Sequence, residues 1–337
     1  MAKTRSISLE HGSGGLLSRR LIEETILPFL ANPILERLED AARVRVGREE
    51  LAFTTDAYVV SPLFFPGGDI GQLAVCGTVN DLAAAGARPL FLSSALIIEE
   101  GTREEIVSEI SRSMGCWAKK AGVRIVAGDT KVVEKGGADG IYIATAGVGR
   151  AILTPAPSPE RIRPGDLVVV SGTVGDHGMA ILAAREKLDI SPQLKSDCEP
   201  LNDLMETMVK TGVEIKFLRD PTRGGLAAVL NEISDGRAWG IDLEERAIPV
   251  HPRVRAAAEI LGLDPLVLAN EGKLIAVVGR AGARRLLAAM RKHPCGRKAS
   301  VIGEVVHSHP GLVSLKTGAG GERVLDWPRG GDLPRIC

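Results

Sequence analysis

Gln72–Ile98 reads QLAVCGTVNDLAAAGARPLFLSSALII. The first part, Gln72–Ala85, is almost wholly apolar and long enough for a buried helix. The second, Leu90–Ile98, is an aliphatic run bounded upstream by Gly86 and Pro89, which reads as a strand. A buried helix running into a buried strand is the repeating unit of a layered domain of the α/β or α+β class. Within the helix stands Asn80-Asp81. An ionised group on an apolar helix needs a partner, so this pair is the first sign of a site.

The same rhythm continues to both sides. Strand-like runs occur at Val44–Val46, Leu51–Thr54, Val123–Val126, Ile141–Val148, Leu167–Val170, Leu274–Val278 and Val301–Val306. Helical patterns occur at Thr102–Ala121, His177–Lys187, Leu201–Thr211, Gly225–Ile233, Pro252–Leu261 and Ala281–Lys292. Thr102 followed by Glu105 predicts a capping box at the start of its helix. Thr154–Gly165 reads TPAPSPERIRPG and holds four of the 19 prolines, which predicts an interdomain linker. The expected organisation is α+β, built of two α/β lobes. Residues 1–155 form an N-terminal domain and 156–317 a C-terminal one. Residues 318–337, rich in Gly and Pro, form a mobile tail.

At 337 residues the chain is too long for one typical core, which agrees with two lobes. Lys+Arg and Asp+Glu are both 42, so bulk charge suggests neither nucleic acid nor a membrane surface as partner. No run of about 18 apolar residues predicts a spanning helix, and MAKTRSISLEHGSGG lacks the apolar core of a secretory signal. The five cysteines are Cys76, Cys116, Cys198, Cys295 and Cys337, scattered and never in a CxxC pair. They predict neither a disulfide framework nor a zinc site, and a reducing cytoplasm is expected. The first four read as small buried hydrophobes. Cys337, at the chain end, does not.

Neither GxxxxGK[ST] nor GxGxxG occurs, so a phosphate ligand would need another cradle. The pattern predicts acidic turns after hydrophobic strands: Asp56 after LAFTT, and Asp129 after VRIVAG with Thr130 and Lys131 behind it. Asp220 opens DPTRGG, and Asn270-Glu271 opens NEGK. Carboxylates at the ends of several strands suit Mg²⁺, which prefers carboxylate and phosphate oxygens. Lys131 would neutralise phosphate charge, and Gly12, Gly14 and Gly15 of HGSGG would let backbone N–H groups approach it. Singly, each aspartate is equally readable as a helix cap or turn former. Arg223 of DPTRGG reads as a phosphate contact or as a partner for Asp220.

The ordered set HGSGG, TTDAYVVSPLFFPGGDIG, CGTVNDLAAAGARP, GDTKVVEKG, GDHGMAIL, LRDPTRGGLA, NEGKLIAV and the terminal PRIC resembles the HypE family of hydrogenase maturation proteins. That family is similar to aminoimidazole ribonucleotide synthetase and selenophosphate synthetase. The resemblance spans essentially the whole chain. It implies a two-domain PurM-like ATP-binding fold and a homodimer with ATP sites near its two-fold interface. It implies metal ligands at Asp56, Asp81 and Asp129, and nucleotide contacts from Gly12, Gly14, Gly15, Asn80, Thr130 and Arg223. It also implies that Cys337 receives a carbamoyl group from a HypF-type carbamoyltransferase. Mg²⁺ and ATP would then drive its dehydration to a thiocyanate, passed on to iron on a HypC–HypD-type complex.

The residue chemistry is consistent with this. A carbamoyl oxygen leaves poorly until it is phosphorylated. Phosphoryl transfer needs positioning and charge neutralisation rather than a nucleophile in the pocket. Glu271 is the candidate base for the N–H protons, with Lys131 placing oxygen and phosphate and Cys337 carrying the group. Structural pairing of Glu271 with Lys273 or Arg223 is the alternative. Two other readings compete. A selenophosphate-synthetase-like enzyme would need a cysteine or selenocysteine in the glycine loop, where HGSGG has none. A non-catalytic carbamoyl or cyano carrier would not need ATP.

Overall fold

The computed structural model describes residues 6–188, 190 and 193–328. The chain begins with helices α1 (Leu16–Leu21) and α2 (Leu27–Leu30), joined through a π-helical turn at Ile22–Ile26. The first domain then runs β1 (Ala42–Val46), β2 (Glu49–Tyr58), a small hairpin of β3 (Phe64–Phe65) and β4 (Gly68–Asp69), α3 (Ile70–Ala84), β5 (Ala87–Glu99), α4 (Glu104–Ala121), β6 (Arg124–Val133) and β7 (Ile141–Ala151). Its sheet has the order β1-β2-β7-β5-β6. Only β5 and β6 run parallel.

Helix α3 is the apolar stretch with which the sequence reading began. Asp69 caps it, accepting from the N–H of Gly71 at 2.8 Å and of Gln72 at 3.0 Å. Every residue of α3 is buried except Asp81. It packs on α4 and the sheet on one side and on the second domain on the other, which is why no polar face is needed. The predicted capping box on α4 does not form. Arg103 is the N-cap residue, and Thr102 is tied into the preceding turn through its N–H to the Glu99 carbonyl at 3.1 Å.

The linker is pinned to the second domain. The Arg161 guanidinium donates to the carbonyls of Pro155, Ala156 and Ile215 at 3.0–3.2 Å, and Ile162 is buried. There follow β8 (Leu167–Val170), α5 (Asp176–Arg185), α6 (Asn202–Lys210), β9 (Ile215–Arg219), α7 (Gly225–Ser234), β10 (Gly240–Glu244), α8 (Pro252–Leu261), β11 (Ile275–Val278), α9 (Arg280–Met290), β12 (Ser300–Val306), β13 (Val313–Lys316) and β14 (Glu322–Val324). The sheet order is β14-β13-β10-β12-β8-β11-β9, antiparallel except between β10 and β13. Val168 and Val170 face one core with α7, whereas Val169 faces the other with α6 and α9. Burial on both faces explains the unbroken apolar runs of β8 and β11.

Three expectations change. The residues read as acidic turns, Asp56 and Asp129–Lys131, lie inside β2 and β6. The tail is tied down as far as Pro328: β14 pairs with β13, and buried Leu325 accepts from Asn231 Nδ2 at 2.9 Å. Of the four cysteines read as buried, Cys76 and Cys198 are, but Cys295 is half-buried and Cys116 is exposed on α4. Among the described residues no helix is long and apolar enough to cross a membrane.

Candidate functional site

A cleft of about 860 Å³ opens between the domains. β2 contributes Thr54, Asp56 and Tyr58, and α3 contributes Asp81. The end of β9 and the DPTRGG loop contribute Arg219, Asp220 and Arg223, and the NEGK turn contributes Glu271. Gly14 and Gly15 close one side.

Three carboxylates meet inside it. Ligand oxygens of Asp40, Asp81 and Asp220 all lie within 4.8 Å of one another. They come from the loop before β1, from α3 and from the loop after β9. Asp40 pairs with Arg219 Nε at 2.9 Å, and Arg219 Nη2 reaches Glu232 at 2.9 Å. Asp81 accepts from the Thr54 hydroxyl at 2.8 Å. Asp220 Oδ2 is buried and has no hydrogen-bond partner among the described residues.

Burial lifts all three acids. Asp220 is pushed up to about 6. Asp81 is pushed well above the usual range by burial and then by Asp220, Asp40 and Asp56. Asp40 rises likewise, although Arg219 opposes the shift. Burial works against the charge on Arg219, but Asp40, Glu232 and Asp220 push its pKa up, so it stays a cation. Arg219 is the cation paired directly with this cluster, through Asp40. An orphaned, buried carboxylate oxygen beside two others fits a hard divalent cation.

Glu271 stands in the same cleft and is 3% exposed. Its N–H donates to Asp197 Oδ1 at 3.2 Å, and its carbonyl accepts from Asn80 Nδ2 at 3.1 Å. Its carboxyl is raised well above the usual range by burial, then by Asp220, Asp197 and Asp56, with Arg223 opposing.

The expected site residues divide. Asp56, Asp81, Glu271, Arg223, Gly14 and Gly15 share the cleft. Gly12 and Asn80 are not part of its lining. The Asn80 amide is spent on second-domain backbone: it donates to the carbonyls of Glu199 and Glu271 at 3.1 Å and accepts from Leu201 N–H at 2.8 Å. Gly14 and Gly15 serve close packing, whereas a Cβ on Gly12 would meet nothing within 4 Å. A Cβ on Gly14, at φ +81°, would stand 2.3 Å from Arg223 Cβ, and one on Gly15 would stand 2.3 Å from the Pro328 carbonyl oxygen. The Gly14 N–H is taken by Ser18 Oγ at 2.8 Å. Asp129, Thr130 and Lys131 lie away from the cleft on β6, the edge strand. There Asp129 is held down by its bond from Lys131 and from the Thr130 N–H. The side chains of Lys131 and Asp129 are 69% and 62% exposed. Cys337 lies outside the described residues.

Two cleft residues escaped the sequence reading. Arg219 carries no motif of its own. Asp40 precedes its strand, whereas the pattern sought acids after strands. Asp220 was noted among the acids that suit Mg²⁺ but was not among the named metal ligands, Asp56, Asp81 and Asp129.

Residues 38–151 match the N-terminal domain of the AIR synthase related protein family, and residues 163–314 match its C-terminal domain. A carbamoyl dehydratase HypE of Bradyrhizobium diazoefficiens is 51% identical over 98% of this chain and 96% of its own length. The chain belongs to the HypE family of carbamoyl dehydratases. HypE structures agree. One solved in complex with HypF superposes with a TM-score of 0.87 at 49% identity, covering 91% of this chain and 99% of that one. One solved in complex with ATP superposes with a TM-score of 0.83 at 46% identity, covering 98% of this chain and 100% of that one.

Proposed function

We propose that this chain dehydrates a carbamoyl group carried on Cys337 to a thiocyanate, using ATP and Mg²⁺ in the interdomain cleft. The observation that carries the proposal is the convergence of Asp40, Asp81 and Asp220 around an oxygen that lacks a partner. Family membership supports the chemistry, since a HypE has been solved with ATP and another with HypF.

Asp81 and Asp220 would hold the cation, with Asp40 beside them and Asp56 at the cleft floor. Mg-ATP bound there supplies a phosphoryl group that makes the carbamoyl oxygen able to leave, with its charge neutralised by the cation. Arg223 faces the same space and balances phosphate charge. Glu271 takes the protons of the carbamoyl nitrogen; burial and the neighbouring carboxylates raise its pKa, which makes it a stronger base than an ordinary carboxylate. Oxygen and both N–H protons leave, and S–C≡N remains. Pro328 sits against Gly15 at the cleft, and the nine residues beyond it span at most about 30 Å when fully extended. A chain of that length is long enough to bring the Cys337 thiol into the cleft.

Lys131, Thr130 and Asp129 act only if a second chain covers β6. This edge exposes Ile125, Val126 and Val132, and docking a copy of the chain there buries them. The proposed assembly is therefore a homodimer in the cytoplasm. A HypF-type carbamoyltransferase loads Cys337, and a HypC–HypD-type complex receives the cyano group.

The test is intact mass after incubation with a carbamoyltransferase and carbamoyl phosphate, before and after adding Mg-ATP. The expected result is a carbamoyl adduct on the Cys337 peptide that loses one water only with ATP. An adduct that never loses water would make the chain a carrier. ATP hydrolysis without any adduct would make it a different ATP-using enzyme of this fold.

A further inference from the structure

Asn80 and Asp81 are neighbours on α3 but face opposite ways. Asp81 joins the carboxylate cluster, and Asn80 enters the second domain. Asn80 is fully buried. Its two amide hydrogens meet two carbonyls, Glu199 and Glu271, and its oxygen meets the Leu201 N–H. An amide is the side chain that satisfies two acceptors and a donor at once; a carboxylate would set oxygen against two carbonyls.

Glu271 is held from its other end as well. Asp197 Oδ1 accepts its N–H, and Asp197 Oδ2 holds Lys273 at 2.7 Å. The segment carrying Asp197 passes so close that a Cβ on Gly272 would stand 1.8 Å from the Asp197 carbonyl. Both peptide groups flanking the Glu271 Cα are therefore fixed, one from its own domain and one from the other. One turn below Asn80 and another turn below that, Cys76 and Gln72 face the same strap, and Gln72 Nε2 reaches the Cys198 carbonyl at 2.7 Å.

We infer that Asn80 is a positioning residue: it ties the helix that carries Asp81 to the backbone of Glu271, so that the cation-binding cluster and the base keep one geometry. The inference deepens the reading of Glu271 as the base and rests on it. Asn80 does not touch the nucleotide. Its loss frees the Glu271 peptide by a fraction of an ångström to an ångström, enough to lower a positioned step by about 10²-fold.

The experiment is single-turnover dehydration of the carbamoylated full chain at varied ATP, for the unaltered protein, Asn80→Ala, Glu271→Gln and the double variant. The expected result is a saturated rate about 10²-fold lower in Asn80→Ala, with half-saturating ATP moved less than about threefold. The double variant should be no slower than Glu271→Gln alone, because Asn80 acts through Glu271. A rise in half-saturating ATP with the saturated rate kept would overturn the inference and make Asn80 a nucleotide contact. Losses that multiply in the double variant would overturn it as well. Full activity of Glu271→Gln would instead sink the base assignment itself. An inactive Glu271→Gln beside an unimpaired Asn80→Ala would sink only the inference. If Asn80→Ala does not yield folded protein, Asn80→Ser keeps one donor and goes through the same cycle, judged by the same outcomes.

Discussion

Asp56 on β2 and Asp129 on β6 belong to one five-stranded sheet, with β7 and β5 between them. Both sit within hydrophobic strands, and in sequence they look alike. β2 is overlaid by the second domain, so Asp56 shares a cleft with Asp81, Asp220 and Glu271. β6 is an edge strand left exposed by the described residues. Burial drives Asp81 and Asp220 up, whereas hydrogen bonds from Lys131 and the Thr130 N–H bring Asp129 down. The contrast shows that what covers a strand, rather than the pattern along it, decides whether its aspartate shares a site.

The largest effect should come from removing the cation that pairs directly with the buried cluster. Arg219→Ala takes the paired guanidinium from Asp40 and Glu232, and breaking such a buried pair costs about 3–5 kcal/mol. Urea unfolding measures it. Adding Asp220→Asn should restore part of the loss, since it removes one of the like charges. If Arg219→Ala unfolds at the same urea concentration as the unaltered protein, Arg219 does not hold the cluster together.

Asp220→Asn alone should act in opposite directions on activity and stability. Mg²⁺-dependent ATP turnover should fall about 10²–10³-fold, the scale for losing one preorganised charge contact. The melting temperature without metal should rise, because a crowded carboxylate is gone. Turnover within threefold of the unaltered protein would remove Asp220 from the cation site.

Proton and cation should compete at this cluster. Folded-state pKa values above the usual 3.8, with Asp220 at about 6, mean that the folded state holds extra protons. Stability from Asp220 is full below the ordinary carboxylate pKa and is lost as pH rises through about 6, and that from Asp40 and Asp81 is likewise lost as pH rises through their raised pKa values. Mg²⁺ bound at the proposed site would replace those protons. Its thermal shift should be small at pH 5 and grow by pH 7.5, toward the roughly 2.7 kcal/mol that a ligand gives at a hundred times its Kd. A shift independent of pH would place the ion elsewhere. So would an Asp220→Asn variant that kept the pH dependence.

Much of this was legible because burial leaves marks on sequence. β8, β11 and α3 are covered on all sides and read as continuous apolar runs. Pro252–Leu261 was delimited by its Pro and Gly. β9, β10, β13 and β14 were missed, because IKFLR, GIDLE, VSLK and ERV are short and carry charged residues. In the site, Asp81 stood out because charge on an apolar helix is anomalous. Asp40 and Arg219 did not, because their roles arise only when two segments 179 positions apart in sequence meet. Asn80 was read as a nucleotide contact because the direction its side chain takes from α3 is a tertiary fact.

The exposed side gives the smallest change in stability and the sharpest test of the comparison. The Asp129–Lys131 pair, at 2.8 Å, is solvent-exposed, so Lys131→Ala should alter the unfolding free energy by less than about 0.5 kcal/mol. If β6 stays open in solution, dehydration should be equally indifferent. If a second copy covers β6, Lys131 becomes part of a nucleotide site and the same substitution should slow dehydration about tenfold or more, with melting unchanged. Dilution separates the two cases further: activity per chain should then fall as the dimer dissociates, in step with the mass seen by light scattering. A Lys131→Ala variant that matches the unaltered protein in rate at every concentration would confine the chemistry to the buried side and leave Asp129, Thr130 and Lys131 as ordinary surface.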